Sequence, residues 1–498
     1  MVAAAVVLCS CSRTETKQPP PQISFDPVFP DLSGELMSIS SPALADLDGD
    51  GIDDIVFGTG LSRVQPSEGK FIFAPEPDPS GYVVAVSGAT NEVLWEVPHP
   101  RDAFTTPRLF DINGDNVPDV VMGGREAVFA AYDGRTGRTL WRTDRNAVAR
   151  TPVPYNFFTP ALVRDVNGDG VQDLVVTYGG DDTRLSHTPR DPGYIAVVSG
   201  RDGKVLASHM LPDRKESYAA VVSYERRDGE WVIFGTGGET DGGAAFRAPV
   251  ASLLDGTFST RVERLIEPDS AKGVMSPAVL LELTGDDELD IIITSFDGRL
   301  IAIDGATRGV IWQDDREKEE TYHAPAVMRL DTAGRLGLFV SRGIGAFPRY
   351  VGTTHRLHDA RDGKVLFEYK DAYYAAGAPL AVDLTGDGID EPIFFTTQFP
   401  SAVGGRIHIL HAASGSLIKH DVPTNYWSTP AVADPRHTGT LELIGVSWSQ
   451  DSSTTNWQGT KWHLHRMNLN SRTPAAITWG GYAGTHTDGR ALLRTQKE

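Results

Sequence analysis

A nine-residue acidic pattern recurs along the chain, and it constrains the fold more than any other feature. The first copy runs from Asp46 to Asp54 and places oxygen-bearing side chains at alternate positions of a tight loop, in which Gly51 permits the positive φ that turns the chain back. Further copies begin at Asp111, Asp165 and Asp383, and a looser copy begins at Glu282. A motif that returns through 498 residues predicts a repeat protein.

The chemistry of each copy predicts a hard-cation site, most economically for Ca²⁺, which accepts six to eight oxygen ligands in flexible geometry. Side chains at positions 1, 3, 5 and 9 and the carbonyl at position 7 would supply these oxygens. The predicted ligands are Asp46, Asp48, Asp50, Ile52 and Asp54; Asp111, Asn113, Asp115, Val117 and Asp119; Asp165, Asn167, Asp169, Val171 and Asp173; Asp383, Thr385, Asp387, Ile389 and Glu391; and, in the looser copy, Glu282, Asp286 and Asp290.

An EF-hand loop begins in the same way but requires Glu at its twelfth position and flanking helices. Phe57 occupies that position here, inside an apolar run that reads as a strand, so the loop joins two strands. Three copies are well formed, and two are degraded, with Thr at the third position. The alternative is an acidic hairpin turn that binds no metal.

Each loop lies within a longer unit of four short β-rich runs separated by turn chemistry, as expected for a propeller blade. Eight such units begin near Pro42, Pro107, Pro160, Ser217, Pro277, Pro325, Pro379 and Pro430. We therefore predict an all-β fold, a β-propeller of eight four-stranded antiparallel blades spanning residues 26–498. Seven blades are the nearest alternative, should the weak unit at Ser217 be misread. The units near Ser217, Pro325 and Pro430 lack the acidic ligand positions, and their hairpins are predicted to be structural.

The amino terminus has a different character. Residues 1–11 are mostly apolar and look like the end of a bacterial lipoprotein signal, in which Cys11 would be lipidated, whereas residues 12–25 are Pro-rich and predict an extended tether. A disordered tail is the alternative. Both cysteines, Cys9 and Cys11, lie here, so we expect no disulfide in the remaining chain. The resulting prediction is a bacterial cell-envelope protein held at the membrane by a lipid anchor only.

Two resemblances follow from these motifs. The acidic loops, with the apolar strand and Phe57-Gly58 that follow, resemble the FG-GAP repeats of integrin α-subunit propellers. Turns that end in Trp141 and Trp312 are similar to the tryptophan-docking repeats of quinoprotein propellers and of an outer-membrane assembly lipoprotein that shares their fold. The first resemblance implies Ca²⁺ at the matching loop positions, and Glu282 departs from the Asp of that family.

Connections in a four-stranded meander alternate between faces, so the acidic loops should lie on one face and the links between blades on the other. These links carry aromatic residues just before the first strand of each blade, predicted here to contact a partner: Phe104, Phe157, Tyr218, Tyr322, Tyr374 and Trp427. Such a ring suits sugar stacking or an anchoring protein loop. Packing between blades is the alternative.

The formal charge of −20 makes nucleic acid an improbable partner. Local sequence motifs for a nucleophilic serine, a zinc protease helix or a phosphate-binding loop are absent. The function predicted from the sequence is a non-catalytic, monomeric Ca²⁺-binding propeller that presents a face to an envelope or extracellular protein or glycan. The alternative is a calcium-assisted lyase or glycosidase that degrades polysaccharides, with an active site assembled from separate blades.

Overall fold

The chain forms a β-propeller of eight four-stranded antiparallel blades, as predicted from its repeats. The structure, a computed structural model, describes residues 23–60, 81–125, 128–143, 156–180, 188–267, 272–347, 349–375, 377–398, 404–450 and 459–491. Among these residues, no helix is long and apolar enough to cross a bilayer. The predicted lipidation site, Cys11, lies outside the described residues.

The first four blades follow one another along the chain. Blade 1 contains Ala43–Ala45, Asp54–Gly60, Gly81–Val86 and Val93–His99. Blade 2 contains Arg108–Phe110, Asp119–Gly123, Phe129–Tyr132 and Thr139–Arg142. Blade 3 contains Asn156–Phe157, Ala161–Val163, Asp173–Gly179, Tyr194–Val198 and Val205–Met210. Blade 4, the weak unit, contains Val222–Arg226, Gly229–Gly235, Ala245–Pro249 and Glu263–Ile266, with short helices Val250–Leu254 and Phe258–Arg261 before its last strand.

The remaining blades complete the ring. Blade 5 contains Val279–Leu281, Asp290–Thr294, Leu300–Ile303 and Val310–Asp314. Blade 6 contains Glu319–Glu320, Ala326–Arg329, Leu336–Ala346, Arg349–Asp359 and Val365–Asp371. Blade 7 contains Leu380–Val382, Glu391–Thr397, Gly405–His411 and Ser416–Val422. Blade 8 contains Ala431–Ala433, Thr440–Gln450 and Thr460–Arg472.

Blade 8 takes its outermost strand from the amino terminus, which closes the ring. Leu32–Glu35 pairs antiparallel with Thr460–Arg472, and Asp26–Pro27 pairs further along the same strand. Asp31 adds a contact of 2.9 Å between its Oδ2 atom and Nδ1 of His465. The segment that leads into blade 1 is thereby held to blade 8 by backbone hydrogen bonds.

Neighbouring blades are held together by a repeated side-chain contact. The indole N–H of Trp95, Trp141 or Trp312 donates to a carbonyl in the turn between the third and fourth strands of the following blade, at 2.7–2.8 Å. Arg247 and Arg466 make the equivalent contact with Gly305 and Gly88 at 2.6 Å. These donors satisfy buried carbonyls at blade junctions, consistent with the predicted docking turns.

A carboxy-terminal segment crosses the central channel, as its contacts with the first strands of distant blades show. Trp479 pairs with Ala381 of blade 7, and Arg490 forms a bridge with Leu280 of blade 5. Arg108 of blade 2, a buried guanidinium, donates to the carbonyls of His486 and Thr487 at 3.1 and 2.8 Å. The carboxy-terminal segment therefore lies across the channel and contacts blades on different sides of the ring.

Candidate calcium loops and the propeller mouth

The four best acidic hairpins share one hydrogen-bonding geometry. In the first, the backbone N–H groups of Gly49 and Gly51 donate to the two carboxylate oxygens of Asp46 at 2.7 and 3.0 Å. The hairpins that begin at Asp111, Asp165 and Asp383 repeat this pair of contacts. The first carboxylate is thus oriented by the backbone in every copy.

The side chains at positions 3 and 5 each accept a local backbone N–H in the hairpins that begin at Asp46, Asp111 and Asp165, whereas Thr385 at position 3 of the hairpin in blade 7 accepts none among the described residues. Asp48 accepts the N–H of Asp50, and Asp50 accepts the N–H of Ile52, at 3.0 and 2.8 Å. Carboxylate oxygens of Asp46, Asp48 and Asp50 lie within 4.8 Å of one another. Gly51 has the positive φ of 83° that the sequence predicted. Three of the four predicted acidic ligands in this copy therefore converge.

The carboxylate at position 9 is placed differently from its neighbours. Asp54 is fully buried, and its two oxygens accept N–H groups from Leu47 and Gly88 at 2.9 Å each. Asp119, Asp173 and Asp290 are buried in the same way and also accept backbone N–H groups. These side chains tie the acidic hairpin to the turn between the third and fourth strands, a role that the sequence analysis missed.

Glu391 occupies position 9 of the hairpin in blade 7, and its longer side chain makes fewer hydrogen bonds than the Asp of the other copies. One of its oxygens accepts the N–H of Leu384 at 2.9 Å, whereas the other is buried without a hydrogen-bond donor among the described residues. Burial raises the pKa of Glu391 to about 8.

The looser acidic copy and the hairpins without the acidic pattern have other contacts than the four hairpins described above. Among the described residues, Glu282 accepts only the N–H of Gly285, and Arg227 of the neighbouring blade donates to the carbonyl of Asp286 at 3.0 Å. In blade 6, both Nε and Nη2 of Arg329 donate to the carboxylate of Asp390 of blade 7. Arginine therefore supplies positive charge at two junctions on this side of the disk.

On the opposite face, which we call the mouth, the predicted aromatic residues form chains of contacting rings. Phe104 and Tyr218 each pack against Phe158, with ring centroids 5.5 and 5.6 Å apart. Trp427 lies edge-on to Trp448 at 5.2 Å. The rings of these residues remain partly exposed, apart from the buried Phe158 and Trp448.

One predicted mouth residue was wrong. Phe157 is fully buried and stacks between Phe129 and Tyr178, at centroid distances of 5.2 and 5.1 Å. Its side chain belongs to the core between blades 2 and 3, because adjacent residues of a strand point to opposite sides. Phe158, the next residue, provides the ring that joins the mouth.

Three of the predicted mouth tyrosines, Tyr218, Tyr322 and Tyr374, lie near enough to Glu239 for its charge to affect them. Glu239 is a partly exposed residue in the loop between the second and third strands of blade 4. Burial raises the pKa of Tyr218, Tyr322 and Tyr374, and the negative charge of Glu239 raises each of them further. Burial also raises the pKa of Glu239 itself. We call these four residues the tyrosine pit; the sequence gave no signal for Glu239.

Behind the tyrosine pit lies a layer of buried acids. Glu216 accepts the hydroxyl of Tyr218 at 3.0 Å, and burial raises the pKa of Glu216 to about 7. Glu320 accepts the hydroxyl of Tyr350 at 2.7 Å and pairs with Lys272 at 2.9 Å. Acids with a raised pKa, here Glu216 and Glu239, are typical of functional sites.

Eight blades, several of which carry an acidic hairpin on one face while aromatic residues line the other, define a repeat β-propeller. A family model described as the FAM234A/B beta-propeller matches residues 38–256. Protein FAM234A of Bos taurus is 34% identical over 436 residues, which cover 81% of this chain and 73% of the bovine protein. The chain belongs to the FAM234 family.

Other similarities are more limited. Protein FAM234A of Homo sapiens is 32% identical over 144 residues, covering 27% of this chain and 24% of the human protein. Integrin alpha-PS2 of Drosophila melanogaster is 32% identical over 107 residues, covering 20% of this chain and 7% of the integrin. These relatives are animal proteins and give no support to the predicted bacterial lipoprotein.

Solved structures share the fold alone. A europium-containing methanol dehydrogenase superposes with a TM-score of 0.60 at 10% identity, covering 89% of this chain and 94% of the enzyme. At that identity the likeness reports architecture and says nothing about chemistry.

Proposed function

We propose that this protein is a non-catalytic propeller in which Ca²⁺ stabilises the acidic hairpins while the mouth binds a protein or glycan partner. The observation that carries the proposal is the convergence of Asp46, Asp48 and Asp50 in a hairpin whose hydrogen bonds recur in three other blades. Oxygens that the backbone already orients need little reorganisation to bind a hard cation.

The role of each ion is structural. Carboxylates gathered at one hairpin repel one another, and a divalent cation removes that repulsion in the folded state only. The ion therefore shifts the folding equilibrium toward the native propeller. Extracellular calcium modules bind at roughly 0.1–1 mM, so occupancy favours a location outside the cytosol.

Isothermal titration of the chelator-treated protein with Ca²⁺ tests this role. We expect about four sites, from the hairpins that begin at Asp46, Asp111, Asp165 and Asp383. Heat of dilution alone would refute the proposal.

For the mouth, Trp427→Ala should weaken retention of the partner in a binding assay and leave the melting temperature nearly unchanged; a large loss of stability would assign Trp427 to packing.

A second candidate, calcium-assisted cleavage of a polysaccharide at the mouth, is favoured by Glu216. A carboxylic acid with a pKa of about 7 suits a general acid, and Glu239 provides another carboxylate nearby. The assay is product release from a retained glycan, compared between the parent and Glu216→Gln. Binding without turnover would leave the non-catalytic proposal in place.

A further inference from the structure

The tyrosine pit contains groups from several blades that converge on Glu239. Tyr218, Tyr322 and Tyr374 come from the links that precede blades 4, 6 and 7. Their rings are partly exposed, and Tyr374 is stacked on Tyr350 with centroids 4.7 Å apart and planes at 12°. Because stacked rings have little rotational freedom, the aromatic surface is rigid before any ligand arrives.

The cations around the pit already have carboxylate partners. Each of four positive side chains lies within 4.0 Å of a carboxylate: Arg125 with Asp102 at 3.0 Å, Lys215 with Asp241 at 2.6 Å, Lys272 with Glu320 at 2.9 Å, and Arg190 with Glu216 at 3.7 Å. With Glu239, the cluster has one more carboxylate than it has cations. A polyanion therefore finds no excess positive charge here.

Glu239 differs from the other acids because no described residue forms an ion pair with its carboxylate within 4.0 Å. Arg125, Arg190 and Lys272 lower its pKa only through longer-range attraction, while Lys272 donates to its backbone carbonyl at 2.6 Å. The side chain is partly exposed in the pit. Its carboxylate is a free acceptor, and because the cluster as a whole has almost balanced charge, neither a polyanion nor a polycation finds a complementary surface here.

A neutral polyhydroxylated ring fits a site that has almost balanced charge and a carboxylate able to accept hydrogen bonds. Its hydroxyl groups can donate to Glu239 and accept from cations that remain paired, so no buried charge loses its partner. Its apolar C–H face can pack on a tyrosine ring and remove apolar surface from water. Because the carboxy-terminal segment crosses the channel, the ligand enters from the mouth and binds by an end rather than by threading.

We propose that the tyrosine pit binds the end of a neutral glycan, with Glu239 as hydrogen-bond acceptor and the tyrosine rings as stacking surfaces. This inference rests on the proposed function of the mouth and narrows it from a protein or glycan to a glycan without net charge. Specificity follows from the balance of charge in the pit, and the calcium hairpins on the opposite face take no direct part.

The test begins with an array that carries neutral, sialylated, uronic-acid and sulfated oligosaccharides, probed with the intact protein in Ca²⁺. We expect retention of neutral glycans. The dissociation constant for the best neutral oligosaccharide is then measured by calorimetry for Glu239→Ala, Tyr322→Ala and Tyr322→Phe. Both alanine variants should bind at least tenfold more weakly, whereas Tyr322→Phe, which keeps the stacking face, should stay within threefold of the parent.

Glu92→Gln is the matched control, because it removes one carboxylate charge from an exposed turn on the opposite face and should leave the dissociation constant unchanged. Calcium titration of each variant reports on the fold independently of the pit. The inference would be overturned if the array retained only charged glycans or no glycan at all. It would also be overturned if the dissociation constant did not change in Glu239→Ala and Tyr322→Ala. A protein ligand at the mouth would also overturn it and leave the proposed function standing; loss of calcium binding in the parent would refute the calcium role alone.

Discussion

The substitution Asp48→Ala provides a sharp test of the calcium hairpins. Asp48 is exposed at the third position of the first hairpin, where its carboxylate lies with those of Asp46 and Asp50 and accepts one local N–H. Asp331, at the corresponding position in blade 6, also accepts local N–H groups but lies in a hairpin with arginine beside it. Asp331→Ala therefore removes similar local contacts from a hairpin that we expect to bind no ion.

The expected effect follows from the binding equilibrium. With a dissociation constant of roughly 0.1–1 mM, Ca²⁺ at about 2 mM stabilises the folded state by about 0.6–1.8 kcal/mol per site. Loss of one site should remove that amount from the calcium-dependent increment in the free energy of unfolding. In chelator both variants should lose stability, because Asp48→Ala removes one local hydrogen bond and Asp331→Ala removes two, each worth about 1 kcal/mol.

The assay is denaturant unfolding of the parent, Asp48→Ala and Asp331→Ala, each in chelator and in Ca²⁺, with calorimetric site counts alongside. The quantity compared is the calcium-dependent increment, which cancels effects common to both conditions. We expect a smaller increment and one fewer site for Asp48→Ala, and parental values for Asp331→Ala. An unchanged increment in Asp48→Ala would contradict the structural role of that hairpin.

Three further predictions concern packing and pH. Trp141→Phe should lower the free energy of unfolding by about 1–3 kcal/mol, because a buried carbonyl in the next blade loses its donor; a change below the error of a urea titration would contradict this. Arg108→Ala should shift the urea midpoint downward by releasing the carboxy-terminal segment, with His486→Ala, which leaves both accepting carbonyls in place, as control. The folded-state pKa of Glu216 is raised to about 7, so its ionisation should lower the free energy of unfolding as pH rises from about 4.5 to 7. Unfolding titrations should therefore show a flatter pH dependence for Glu216→Gln than for the parent. Parallel curves for the two proteins would refute this.

Local chemistry explains why the fold was predictable. Glycines and acidic residues at fixed offsets specify each hairpin within nine residues, and the apolar runs that follow specify a strand without reference to the remaining chain. The unit at Ser217 was the weakest by these signals, yet its strands form a regular fourth blade before and after two short helices. Phe157 was misplaced because two adjacent aromatic residues leave the facing of the strand ambiguous.

The amino-acid sequence alone determined the repeat, the eight blades and the candidate calcium ligands, because these depend on residues close together in the chain. Tertiary structure decided the features that join distant segments: Leu32–Glu35 closing the ring against blade 8, residues near Trp479 and Arg490 crossing the channel, and Glu239 lying near tyrosines from the links that precede blades 4, 6 and 7. No local periodicity encodes such contacts, since they exist only once the circular order of the blades has brought their loops to a common axis.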